Sequence, residues 1–159
     1  MLKIKLICVG KLKEKEYLDL TKEYAKRLGA FCELDILELQ EEYLPSAPSE
    51  GLIITALERE SEKILKVIPP LSHVISLCIE GKELDSVALS EKIASIEQRF
   101  SKLCFIIGGS NGLSDKIKKI SGDRISFSRL TFPHHLFRVM LLEQIYRAYT
   151  IINGRTYHK

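Results

Sequence analysis

Most of the residues able to do chemistry lie within or just after one stretch, Leu103 to Arg138, which reads LCFIIGGSNGLSDKIKKISGDRISFSRLTFPHHLFR. Gly108-Gly109-Ser110-Asn111-Gly112 fits G-x-S-x-G between an apolar run and a polar helix, the setting of a nucleophilic serine. Asp123 and His134 follow in the order of a Ser-Asp-His triad. The aspartate stands only 13 residues after the serine, too few for an intervening strand and helix, and no His-Gly-Gly segment supplies an oxyanion hole. A serine hydrolase built on Ser110 is therefore the alternative enzyme reading. The same glycines miss the dinucleotide fingerprint, because Ser110 stands where a glycine is needed.

His134 and Arg138 are four residues apart and share a helix face. An imidazole and a guanidinium beside a loop suit a phosphate or a base carbonyl, although a solvated face carries the same pair. Ser128 to Phe132 keeps neither a helix nor a strand period and stands just before a helix start. Such a loop offers backbone amides and carbonyls to an adenine or a carboxylate, or is an ordinary connector. The tail, Arg155-Thr156-Tyr157-His158-Lys159, would by itself fray. Cys8, Cys32, Cys78 and Cys104 fall in apolar strand surroundings without C-x-x-C or zinc spacing, and read as buried reduced thiols. No metal-ligand set is apparent.

These residues are positioned by alternating strands and helices. Lys3–Val9, Phe31–Leu39, His73–Ile79, Leu103–Ile107 and Arg124–Phe127 read as strands. Glu14–Leu28, Leu52–Val67, a segment from Asp85 or Ser86 to about Phe100, Ser114–Ile120 and His134–Ile152 read as helices. Pro133 suits the first turn of the last helix, Gly81-Lys82 a turn after the third strand, and Gly108, Gly109 and Gly112 a tight turn with positive φ. Glu41 to Gly51, with two prolines and two serines, is expected to be a mobile loop. The pattern is α/β with a mainly parallel sheet, and its inner strands are apolar enough to be covered on both faces. Two strand ends with unusual turns fall close together, where open α/β sheets bind ligands. In the last helix Phe137, Leu141 and Leu142 lie off the apolar stripe, which suggests burial against a second chain, although packing on the chain's own sheet explains part of it.

Length and composition suit one globular domain. No apolar run can span a bilayer, and the N-terminus lacks a signal-peptide pattern, so a cytoplasmic protein without a membrane partner is expected. Residues 1–100 carry 14 Lys/Arg against 18 Asp/Glu, whereas residues 101–159 carry 10 against 3. The asymmetry points to a polyanion near the C-terminal part.

Three segments in order, IIGGSNGL, SFSRLTFPHHLFRVML and EQIYRAYTIINGRTYHK, closely resemble the ribosomal RNA large subunit methyltransferase H family, a branch of the SPOUT methyltransferases. The likeness runs from the opening ICVGKLKEKEY to the closing YHK. The resemblance implies one SPOUT domain over residues 1–159, with a trefoil knot in about residues 73–159. It implies an S-adenosyl-L-methionine pocket formed by Leu77, Gly108, Phe127, Ser128, Arg129, Leu130, Thr131 and Phe132. Arg138, His134, Tyr157 and His158 would act on the substrate, the last two from the tail of the partner in a homodimer. The substrate would be N3 of a pseudouridine in the helix 69 hairpin of 23S ribosomal RNA, met on the assembled ribosome. Neither a metal nor DNA enters this reading. A non-catalytic ribosome-binding module is the remaining alternative.

Overall fold

The computed structural model describes all 159 residues. Five strands, β1 (Lys3–Val9), β2 (Glu33–Leu39), β3 (His73–Glu83), β4 (Lys102–Ile107) and β5 (Asp123–Ser126), form one parallel sheet in the order β2-β1-β4-β3-β5. The helices are α1 (Lys15–Leu28), α2 (Glu50–Val67), α3 (Ser86–Arg99), α4 (Asp115–Ile120) and α5 (His134–Ile152).

Side chains alternate across a strand, so each inner strand feeds two cores. Ile4, Leu6 and Cys8 of β1, with Leu103, Phe105 and Ile107 of β4, join α3 and α5 on one face. Ile7 and Val9, with Cys104 and Ile106, meet Ile64 of α2 and Ile117 of α4 on the other. This is why the inner strands are almost wholly apolar. α5 packs against both α1 and α3.

That placement changes the reading of α5. Leu141 and Leu142 are buried within this chain, and Phe137 packs its ring 4.7 Å from that of Phe127. The chain's own fold therefore accounts for Leu141 and Leu142, while Phe137 stays half-buried.

Several expected boundaries also shift. β3 does not turn at Gly81-Lys82 but continues to Glu83. Its register against β5 slips, with both Leu77 and Lys82 opposite Ile125, and the bulge between them turns residues 78–80 toward the strand ends. Gly81 allows this, because a Cβ there would stand 2.6 Å from the Ile125 backbone. Cys32 precedes β2 rather than lying in it, and Cys78 is only half-buried. Pro133 is the N-cap of α5, one residue outside the helix. Residues 41–49 are tied down: the Glu42 N–H donates to the Glu60 carboxylate at 2.9 Å, Lys63 pairs with Glu42 at 2.7 Å, and Ser49 caps α2. The proline-rich composition indicated a loop, but it held no record of these long-range partners.

Candidate functional site

The C-terminal ends of β3, β4 and β5 open into one cleft of about 780 Å³. The bulge of β3 contributes Leu77 to Glu80, the turn after β4 contributes Gly108 to Leu113, and the loop after β5 contributes Phe127, Ser128, and Leu130 to Pro133. The topology explains the convergence. β4 lies on one side of β3 and β5 on the other, so both connections leave from the same edge of the sheet. Of the eight pocket residues named from the resemblance, seven line this cleft; the exposed Arg129 does not.

The turn after β4 is closely built. A Cβ on Gly108 would overlap the Gly112 carbonyl, and only Gly112 of the three glycines has positive φ, at 75°. Gly108 is therefore required by close approach and not by its own dihedral angles, which corrects the expectation of positive φ throughout. The Ser110 N–H donates to Glu41 Oε1 at 2.7 Å, so the segment after β2 braces the turn. After β5, the Ser126 hydroxyl donates to the Ser128 carbonyl at 3.0 Å and the Leu130 N–H donates to Ser128 Oγ at 3.0 Å, which curls that loop at the cleft rim.

His134 stands at the start of α5 and borders the cleft. Burial lowers its pKa from the ordinary value of 6.5, His135 and Arg138 push the same way, and Glu41 opposes them. It is thus held neutral near pH 7, as a proton acceptor must be. Arg138 does not share that exposure. Only 3 % exposed, it donates through Nη1 to Glu38 Oε2 at 2.7 Å and through Nη2 to the Gly10 carbonyl at 3.3 Å. Burial alone would raise the Glu38 pKa, but Arg138 and the Leu12 N–H outweigh it and hold the carboxyl below its ordinary value. Spacing put His134 and Arg138 on one helix face. Packing sends the guanidinium under the ends of β1 and β2 instead of into the cleft.

The hydrolase triad is not assembled. Asp123 pairs with His73 at 2.6 Å and Lys92 at 2.7 Å, leaving no hydrogen bond from it to His134. Tyr157 and His158 are likewise remote from the cleft of their own chain. The Tyr157 hydroxyl donates to Glu143 Oε1 at 3.1 Å, its ring meets that of Tyr146 edge-on, and His158 lies 3.3 Å from Arg147. Glu143 is roughly 14 Å along α5 from His134, at about 1.5 Å rise per residue.

Sequence reasoning missed Glu38, Glu41 and the β3 bulge. Nothing local in the sequence distinguishes Glu38 and Glu41 from Glu33 or Glu42. Gly81 was the one signal for the bulge, since a glycine inside an apolar strand marks close backbone approach.

Comparison with known proteins gives this fold and cleft a class. The solved structure of a "probable methylase family protein" from Haemophilus influenzae Rd KW20 superposes with a TM-score of 0.56 at 14 % identity, covering 100 % of this chain and 72 % of its own, a likeness of fold alone. The family model described as "Predicted SPOUT methyltransferase" matches residues 2–158. Ribosomal RNA large subunit methyltransferase H of Clostridium botulinum (strain Eklund 17B / Type B) is 50 % identical over 98 % of this chain and 99 % of its own. The protein of the same name from Bacillus pumilus (strain SAFR-032) is 46 % identical over the same shares. The chain belongs to the SPOUT methyltransferases, in the ribosomal RNA large subunit methyltransferase H family.

Proposed function

We propose that the protein transfers a methyl group from S-adenosyl-L-methionine to N3 of a pseudouridine in the helix 69 hairpin of 23S ribosomal RNA, acting as a homodimer on the large subunit or assembled ribosome. The observation that carries this reading is the cleft at the ends of β3, β4 and β5, shared by a glycine turn without room for a Cβ and a loop curled on its own serine hydroxyls. The relatives' names supply the substrate class, large-subunit ribosomal RNA.

The residues present suit a nucleoside-sized methyl donor. A cleft of about 780 Å³ lies within the usual range for such ligands, and apolar Leu77, Ile107, Ile125 and Phe127 alternate along it with polar backbone. Leu77, Gly108 and the loop from Phe127 to Phe132 would hold the donor, Arg129 excepted. When bound, the donor supplies an electrophilic methyl group. The protein then has two tasks. It must hold the acceptor base in line, which carries much of such a rate, and it must take up the N3 proton. His134, neutral and at the cleft edge, is suited to the second task. Arg138 fixes the start of α5 beneath it, through Glu38 and Gly10. Tyr157 and His158, remote from their own chain's cleft, would serve the partner's, and the knot of residues 73–159 would frame both sites.

The test is calorimetric titration with S-adenosyl-L-methionine, followed by methyl transfer to ribosomes lacking the modification and mass mapping of the product. Saturable donor binding and one added methyl on the helix 69 pseudouridine are expected. Binding without transfer to any ribosomal particle would favour the non-catalytic module, and absence of donor binding would remove the enzyme reading.

A further inference from the structure

A second cleft, of about 470 Å³, adjoins the first across His134. Its lining is wholly without apolar side chains: Gly10, Lys11, Lys13, Gln40, Glu41, His134 and His135. We propose that it holds a backbone phosphate of the RNA strand whose target base enters the main cleft, an assignment that rests on the function proposed above.

Charge accounting decides what the site can take. Three carboxylates stand near it, and each is already engaged. Glu14 is within 3.0 Å of the His135 ring, Glu38 accepts from Arg138 and the Leu12 N–H, and Glu41 accepts from the Ser110 N–H. Lys11 and Lys13 are exposed and form no ion pair. Hydrogen bonds leave Glu14 and Glu41 charged and only Glu38 is neutralised, so the lining itself holds Lys11 and Lys13 against Glu41, a formal net of +1, with the two lysines as its unpaired cations. Beneath its floor, Arg138 holds the carbonyl of Gly10 at 3.3 Å, while its buried Nε has no partner. α5, whose first residues His134 and His135 line the cleft, begins without a side-chain cap, which adds positive potential. His134 belongs to both clefts, so a nucleotide whose base passes it on one side leaves its phosphodiester on the other. Lysines here fix register and orientation without reading sequence.

The test uses the full chain, as wild type, as Lys11→Gln/Lys13→Gln, and as the charge-matched control Lys22→Gln/Lys66→Gln on the exposed faces of α1 and α2. Binding to large ribosomal subunits is measured over a salt series, and donor binding by calorimetry. Expected is a loss of about tenfold or more in subunit affinity for the cleft variant alone, with a salt slope shallower by roughly 1 to 2 and donor affinity unchanged. Equal affinity and slope in the cleft variant and the control would overturn the phosphate site. The outcomes separate it from the reading beneath it. Normal donor binding with unaltered subunit binding removes the phosphate site and keeps the methyltransferase. A selective loss of subunit affinity in a protein that binds no donor keeps the phosphate site and removes the methyltransferase.

Discussion

The Arg138 guanidinium and the Glu38 carboxylate meet at 2.7 Å between the first turns of α5 and the end of β2, with the Arg138 side chain 4 % exposed and that of Glu38 33 %. The contact spans about two thirds of the chain and joins the edge of the sheet to the helix that begins at the cleft. Removing one partner of such a pair leaves a desolvated charge behind. Arg138→Ala should lower stability by on the order of 2–3 kcal/mol, since Glu38 keeps some solvent. Urea unfolding checks this. Activity should fall through the displaced His134, so Arg138→Lys, which keeps a charge but not the fork, should recover stability better than turnover.

Gly108→Ala places a methyl group against the Gly112 carbonyl. The turn must open at the cleft, while both cores stay intact. We expect donor affinity to fall by more than tenfold with little change in circular dichroism, measured by calorimetry on the folded variant. Wild-type affinity in Gly108→Ala would detach the donor site from this turn.

His134→Gln removes the proposed proton acceptor but keeps a polar side chain of similar reach. Turnover should drop by about 10² to 10⁴, as for loss of a general base, with donor affinity unchanged. The pH dependence follows from the lowered pKa. A histidine that resists protonation stays competent below its ordinary 6.5, so the acidic limb of kcat/KM should lie under that value and vanish in the variant. A limb at or above 6.5 would assign the base elsewhere.

Asp123 belongs to a clasp with His73 and Lys92 and not to a triad. Asp123→Asn should cost about 1–2 kcal/mol and leave donor binding intact. Burial raises the Asp123 pKa, but Lys92 and His73 outweigh it and hold it below the ordinary 3.8. The carboxylate's contribution is therefore complete above that pH and is lost as acid carries the solution through the lowered value. The stability gap between wild type and variant should close on that descent, and unfolding curves across the acid range would show it.

Deleting Tyr157 to Lys159 removes the contacts with Glu143, Tyr146 and Arg147 at little expense to the fold, because the segment is largely exposed. Activity should be lost. Mixing this deletion with His134→Gln then tests the homodimer: heterodimers contain one site with an intact cleft and an intact partner tail, so up to about a quarter of wild-type activity should return. No recovery in verified heterodimers would confine each site to one chain.

The alternation of apolar runs with helical stripes determined the α/β class, and the elements of the chain stand within a few residues of their expected places, because hydrophobic period is a local property. The glycine turn was legible for the same reason, whereas the loop of Phe127 to Phe132 read equally as an ordinary connector and was singled out only by the family resemblance. Tertiary structure alone decided what those residues face. It turned Arg138 inward to Glu38, sent Asp123 to His73, drew Glu41 across to Ser110, and buried Leu141 and Leu142 inside one chain. Each of these outcomes depends on strand order and on partners distant in sequence, and helical spacing fixes which side chains share a face without fixing what that face meets.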